Sequence, residues 1–184
     1  SIITNVRTIR LEQFPNSIWV EIETDENLTG LGEAWRGTAA IETIIHHDIC
    51  PWLIGQDSRN IELISRTLLT PYVGFHSASA EIRAASAIDI ALWDLAGKRH
   101  GIPVYEALGG ASRSSIQVYN TCSGYSFNAS SSAYNSGTSR RMITDKDEMR
   151  GPYDDQVAFT RDAGALAKSL LSEGYKIMKI WPFD

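Results

Sequence analysis

The segment from Ser79 to His100 constrains the fold more than any other part of the chain. Ile82, Ala85, Ile88, Leu92 and Leu95 recur at spacings of three and four, which places them on one face of an α-helix. Ser79 stands where an N-cap belongs, and Glu81 in the first turn suits the positive end of the helix dipole. Lys98, Arg99 and His100 fill the last turn; Gly101 then offers a left-handed stop and Pro103 blocks continuation.

Upstream of this helix the first 36 residues predict antiparallel strands. Residues 2–11 are rich in β-branched types, and residues 17–24 alternate, with Ile18, Val20 and Ile22 on one face. Asp25-Glu26-Asn27 turns the chain into residues 28–35, where Gly30 and Gly32 weaken a strand but permit close packing. The expected arrangement is a three-stranded meander with one buried face. Residues 38–100 predict helices, one over 39–50 ending before Pro51 and one over 60–69 ending before Pro71.

After Gly109-Gly110 the pattern changes. Ile116 to Cys122 predicts a strand, Asp154 to Ser172 a helix with Phe159, Ala163, Leu166 and Leu170 on one side, and Tyr175 to Trp181 a second strand. Strand, helix, strand is a βαβ unit whose strands lie parallel. Between them a polar stretch, residues 123–152, is crowded with Ser, Asn and Gly and predicts a solvated loop. The chain thus divides into residues 1–112 and 113–184, and the second part is too short for a complete (β/α)8 barrel, which needs about 250 residues. The expectation is a portion of a longer protein.

Composition narrows the function classes. A net charge of −5 with acids and bases interspersed leaves no basic stripe for nucleic acid or an anionic membrane. No apolar run reaches the roughly 20 residues of a spanning helix. Two cysteines, Cys50 and Cys122, lie far apart and outside any CxxC spacing, which points to a reducing compartment, the cytoplasm, without disulfides or zinc.

Residues 84–110 read AASAIDIALWDLAGKRHGIPVYEALGG, and this segment resembles the signature of the mandelate racemase and muconate lactonizing enzyme family of the enolase superfamily. Ala84, Ser86, Asp89, Ala91, Leu92, Asp94, Leu95, Gly97, Lys98, Pro103, Leu108 and Gly109 carry the resemblance; Ala107 departs from the usual Leu. Gly30 to Ala34 is similar to the family's third cap strand, and Gly174 to Ile180 to its second barrel strand. The resemblance implies an α+β capping domain over residues 1–112. It also implies the start of an α/β TIM-type barrel, truncated after its second strand, over residues 113–184. It further implies abstraction of a proton α to a carboxylate, with Mg²⁺ stabilising the enediolate. The metal ligands are expected beyond Asp184, so no metal ligand is assigned within this chain. By the same analogy the protein is expected to be a homo-oligomer acting on a small-molecule carboxylate.

Within that frame Lys179 is the catalytic candidate. Ile177, Lys179 and Trp181 point one way along the strand and Met178 and Ile180 the other, so the apolar even set packs on helices and Lys179 faces the barrel interior. A lysine there suits a role beside the substrate carboxylate or the metal. Racemases and cycloisomerases of the family resemble Lys-x-Lys at this point, whereas this chain has Lys179-Ile180-Trp181. An indole cannot accept the α proton. The departure favours dehydration of a sugar acid such as an aldonate, with a later His as base, over a racemase, epimerase or cycloisomerase. A non-catalytic cap-like binding or assembly module is the alternative of another class. Trp181 is expected to line the substrate pocket. Phe14, in the loop after the first strand, and Tyr72 and His76, before the long helix, match the family's two specificity loops and are the further substrate-binding candidates. Asp89 and Asp94 fall on different helix faces and are expected to make structural hydrogen bonds and ion pairs at the junction of cap and barrel. His46 and His47 diverge too far to chelate together.

Overall fold

The computed structural model describes residues 1–70, 78–124, 148 and 154–180. They form two compact units, Ser1–Ser112 and Arg113–Asp184.

In the first unit β1 (Ile3–Ile9), β2 (Ser17–Thr24) and β3 (Thr29–Trp35) make an antiparallel sheet in the order β1-β2-β3. On β2 the alternation predicted from sequence is fully expressed: Ile18, Val20, Ile22 and Thr24 are buried while the residues between them are half-buried. On β1 a register shift between Ile3 and Asn5 breaks the period, so Ile3 and Val6, three residues apart, both face inward. The β2–β3 turn uses Asn27 in the left-handed region at φ 58°, with its N–H donating to the Thr24 carbonyl at 3.1 Å.

The long helix is present as predicted, Ser79–His100, here numbered α4 after α1 (Thr38–Thr43), α2 (Cys50–Leu53) and α3 (Ile61–Leu69). It lies directly on β3. A Cβ on Gly30 would stand 2.1 Å from the Ala91 carbonyl oxygen, and one on Gly32 would stand 1.9 Å from that of Ala87. The two glycines therefore set the helix–sheet distance. Their contact row, Ala87, Ala91 and Leu95, is buried alongside Ala84, Ala85, Ile88 and Leu92, so the helix buries a broader surface than one five-residue stripe. Ile82, assigned to that stripe from its spacing, is 41% exposed because it precedes the part of α4 over the sheet. Ser79 does not cap: its own φ is +51°, Ala78 occupies the N-cap position, and no side-chain cap bond forms. Gly101 ends the helix at φ 65°, with Ile102 donating to the Gly97 carbonyl at 3.0 Å.

One boundary differs from expectation. The helix beginning near residue 38 does not end at Pro51. It passes through a π-helical stretch, Ile44–Ile49, and resumes as α2 with Pro51 in its first positions. There the missing N–H is not needed, and the wider i→i+5 turn ahead of the ring spares the carbonyl clash that proline causes inside an α-helix.

In the second unit the helix, α6 (Asp155–Ser172), follows the short α5 (Val104–Ala107) of the first. Phe159 and Leu170 are buried on it, with Ala163 and Leu166 packed beside them. The helix kinks at Asp162, whose φ and ψ are −155° and 92°, and Gly174 ends the segment at φ 96°. Among the described residues the two predicted strands flanking it meet in a single parallel bridge, Asn120 with Met178, rather than a ladder. Cys122, at φ 51°, turns the chain out of the extended conformation two residues after the bridge, and its N–H donates to Asn120 Oδ1 at 2.6 Å.

Candidate functional site

The bridge in the second unit positions Lys179. Asn120 donates its N–H to the Ile177 carbonyl at 3.1 Å and accepts from the Lys179 N–H at 2.8 Å. Met178 and Ile180 pack on the cluster of Cys122, Phe159 and Leu170. Alternation then places Ile177 and Lys179 on the opposite face. Both are exposed, and the Lys179 ammonium lies 6.0 Å from the centroid of the Tyr119 ring. Beneath the bridge the environment is the reverse. Burial pushes the Cys122 thiol up, helped by the neighbouring Asp155 charge. Burial also raises the Asp155 carboxyl, against a hydrogen bond from Asn120 that favours its ionised form. Cys122 is a fully buried free thiol and a packing residue, not a nucleophile.

In the first unit Phe14 sits in the β1–β2 loop, 52% exposed, with its ring edge-on to Trp19 at 6.4 Å. Its N–H donates to Leu11 and its carbonyl accepts from Ser17, both at 3.0 Å, so the loop is a closed pair of turns that presents the ring outward. Tyr72, His76 and Trp181 lie outside the described residues, as does most of the polar stretch at 123–152.

The paired acids of the signature have structural work. Asp94 Oδ2 accepts the Leu31 N–H and pairs with the Lys98 ammonium, each at 2.7 Å, while Lys98 also donates to the Thr29 carbonyl at 2.7 Å. Together they tie the outer edge of β3 to α4. Asp89 accepts from the Ser65 hydroxyl, linking α4 to α3. His46 is not a ligand either. The Thr8 hydroxyl donates to Glu42 at 2.9 Å, so its 2.8 Å contact with His46 requires Nε2–H as donor. Among the described residues no three His, Cys, Asp or Glu side chains gather as a metal ion would need.

A surface groove of about 670 Å³ was not foreseen; Leu31, Ile90, Trp93, Val104 and Leu108 line it, with Asp89, Asp94 and Lys98 at its side. A second set of apolar positions on α4, Ile90 and Trp93, was the signal available for it. Its acids are already committed to the bonds above, so its free surface is apolar and offers no proton-transfer group.

Residues 6–109 match the family model described as Mandelate racemase / muconate lactonizing enzyme, N-terminal domain. This chain belongs to that family. The fold of residues 1–112, a three-stranded antiparallel sheet under α4, is that of the family's N-terminal domain. A relative from Ralstonia nicotianae, D-galactonate dehydratase, is 39% identical over 124 residues, which span 66% of this chain and 31% of the relative. A solved enolase protein from Sargasso Sea environmental sequencing is 49% identical with a TM-score of 0.74, covering 100% of this chain and 40% of its own. An enolase from Pantoea ananatis, solved with bound D-gluconate and Mg, is 29% identical with a TM-score of 0.69, covering 98% of this chain and 36% of its own. The chain thus spans about a third of the length of that D-galactonate dehydratase. No helix among the described residues is long and apolar enough to cross a membrane.

Proposed function

We propose that this chain is the front part of a Mg²⁺-dependent dehydratase that converts a sugar acid to its 2-keto-3-deoxy product. Residues 1–112 serve as the capping domain, and residues 113–184 supply the first β/α unit and second strand of a (β/α)8 barrel. The observation that carries this reading is the similarity to a D-galactonate dehydratase, joined to a second strand that reads Lys179-Ile180-Trp181. In the reaction a base removes the proton α to the carboxylate, and the β-hydroxyl leaves as water. Lys179 holds the substrate carboxylate, an ammonium being a mobile, strongly charged donor. Phe14, Tyr72, His76 and Trp181 are the residues this reading assigns to substrate contact. Mg²⁺, assigned to carboxylates beyond Asp184, stabilises the enediolate charge when bound.

A racemase, epimerase or cycloisomerase of the same family is the second reading. The specific observation against it is Trp181, which offers no base where those enzymes resemble a second lysine. The test is a panel of aldonates, uronates, amino-acid derivatives and aromatic hydroxy acids, incubated with the complete natural polypeptide and Mg²⁺. The dehydratase reading expects 2-keto-3-deoxy product from at least one sugar acid, lost on chelation and restored by Mg²⁺. Turnover confined to amino-acid or aromatic acids would overturn it.

A further inference from the structure

We propose that Tyr119 is a positioning residue that holds the Lys179 ammonium for the substrate carboxylate through the face of its ring. The inference rests on the role given to Lys179 above. Tyr119 adjoins Asn120, whose backbone bonds to Ile177 and Lys179 fix the two chain segments side by side. That register puts the Tyr119 and Lys179 side chains on the same face, away from the Cys122–Phe159–Leu170 cluster, with the ammonium 6.0 Å from the ring centroid. Tyr119 itself is 50% exposed, so its ring is not committed to that core.

The chemistry suits the task. A lysine on its four-carbon stem samples many rotamers, and an anion bound by it must first select one. An aromatic face attracts the ammonium through its quadrupole and leaves its N–H donors for a carboxylate. Tyr119 thereby narrows the positions open to the Lys179 ammonium.

The test uses the complete natural polypeptide with Mg²⁺, D-galactonate as substrate and D-gluconate as second probe. The variants are Y119F, Y119L, K179M and the double variant Y119L/K179M. Affinity is read by calorimetry beside kcat and KM, so that a variant without turnover still reports. Y119F, which keeps the ring, is expected within about twofold of the parent. Y119L is expected to weaken acid binding about three- to thirtyfold, the span of a cation–π contact from exposed to desolvated settings, with a smaller change in kcat. In the K179M background Y119L should add nothing, because the group it serves is gone. An equal loss from Y119L in both backgrounds would show a packing role and overturn the proposal, as would an equal loss in Y119F, which would point to the hydroxyl. Parental behaviour of K179M would remove the role of Lys179 and this inference with it. An impaired K179M beside a parental Y119L would overturn the Tyr119 assignment alone.

Discussion

At the scale of single residues, the two glycines of β3 carry more of the architecture than any apolar side chain. Gly32 leaves no space for even a methyl group, since a Cβ there would stand 1.9 Å from the Ala87 carbonyl oxygen. Backbone, unlike a flexible side-chain end, cannot give way locally, so the whole of α4 would have to lift from the sheet. Gly32→Ala is therefore expected to destabilise the first unit by about 3 kcal/mol, at the upper end for overpacking. Urea unfolding checks it: the midpoint should fall with little change in slope. Asp94 belongs to the same device from the helix side, since it closes the Leu31 N–H at the sheet edge and holds Lys98. These roles were partly legible. Close packing at Gly30 and Gly32 followed from residue type; the bonds of Asp89 and Asp94 were expected at a junction of cap and barrel, and those the structure shows lie within the first unit. The groove beside α4 did not follow, because it depends on how Leu31 of β3, Trp93 of α4 and Leu108 just after α5 come together.

At the scale of elements, the stretch from Thr38 to Leu53 shows how a regular pattern can hide an irregular helix. Ile41, Ile45, Ile49 and Leu53 stand four apart and are all buried. In a continuous α-helix that spacing would drift by about 40° per step, enough to carry the last residue off the core face. The π-helical Ile44–Ile49 absorbs the drift and keeps all four inward. It also delivers Pro51 to the first positions of α2, where proline costs nothing. Pro51→Ala is accordingly expected to change stability by less than about 1 kcal/mol, and in the destabilising direction, because only the freedom of the unfolded chain is affected. Thermal melting would show it; a much larger loss would mean that the ring itself enforces the π turn. The stop assigned at Pro51 treated proline as a breaker, which is its role only inside a regular α-helix. The α4 boundaries near His100 were legible for the opposite reason: charge, glycine and proline there all act locally.

For the molecule as a whole, the two units should answer acid in opposite senses. In the first unit burial opposes ionisation of Glu42, but hydrogen bonds from Arg10 and Thr8 outweigh it and hold the carboxyl below its usual range. Asp57, hydrogen-bonded to Arg59, is held lower still. A carboxyl with a depressed folded pKa contributes stability above its unfolded value, about 4, and loses it as pH falls through the folded value. In the second unit Asp155 is raised, chiefly by burial, so its ionised form is a cost above the folded pKa that is relieved as pH falls. Amide hydrogen exchange resolved by segment, compared at pH 7 and at about pH 3, checks the prediction. Protection in β1 and α1 should drop more than protection at the start of α6. Equal losses in both units would contradict it.

The sequence by itself determined what depends on neighbours along the chain. That includes the alternation on β2, most of the buried face of α4, the face of α6, the Gly101 stop, and the family signature over residues 84–110. Tertiary structure decided what depends on where distant backbone lies: the bulge that turns Ile3 and Val6 inward together, the π turn that keeps four residues on one core, and the Asp94–Leu31 tie. It also decided that, among the described residues, the expected strand pair of the second unit narrows to one bridge, since the left-handed Cys122 and the Asn120 side chain redirect the chain soon after it. Periodicity assigns a residue to a face, but only packing sets how close that face comes to its partner. The 6.0 Å approach of the Lys179 ammonium to Tyr119, sixty residues away, is of that second kind.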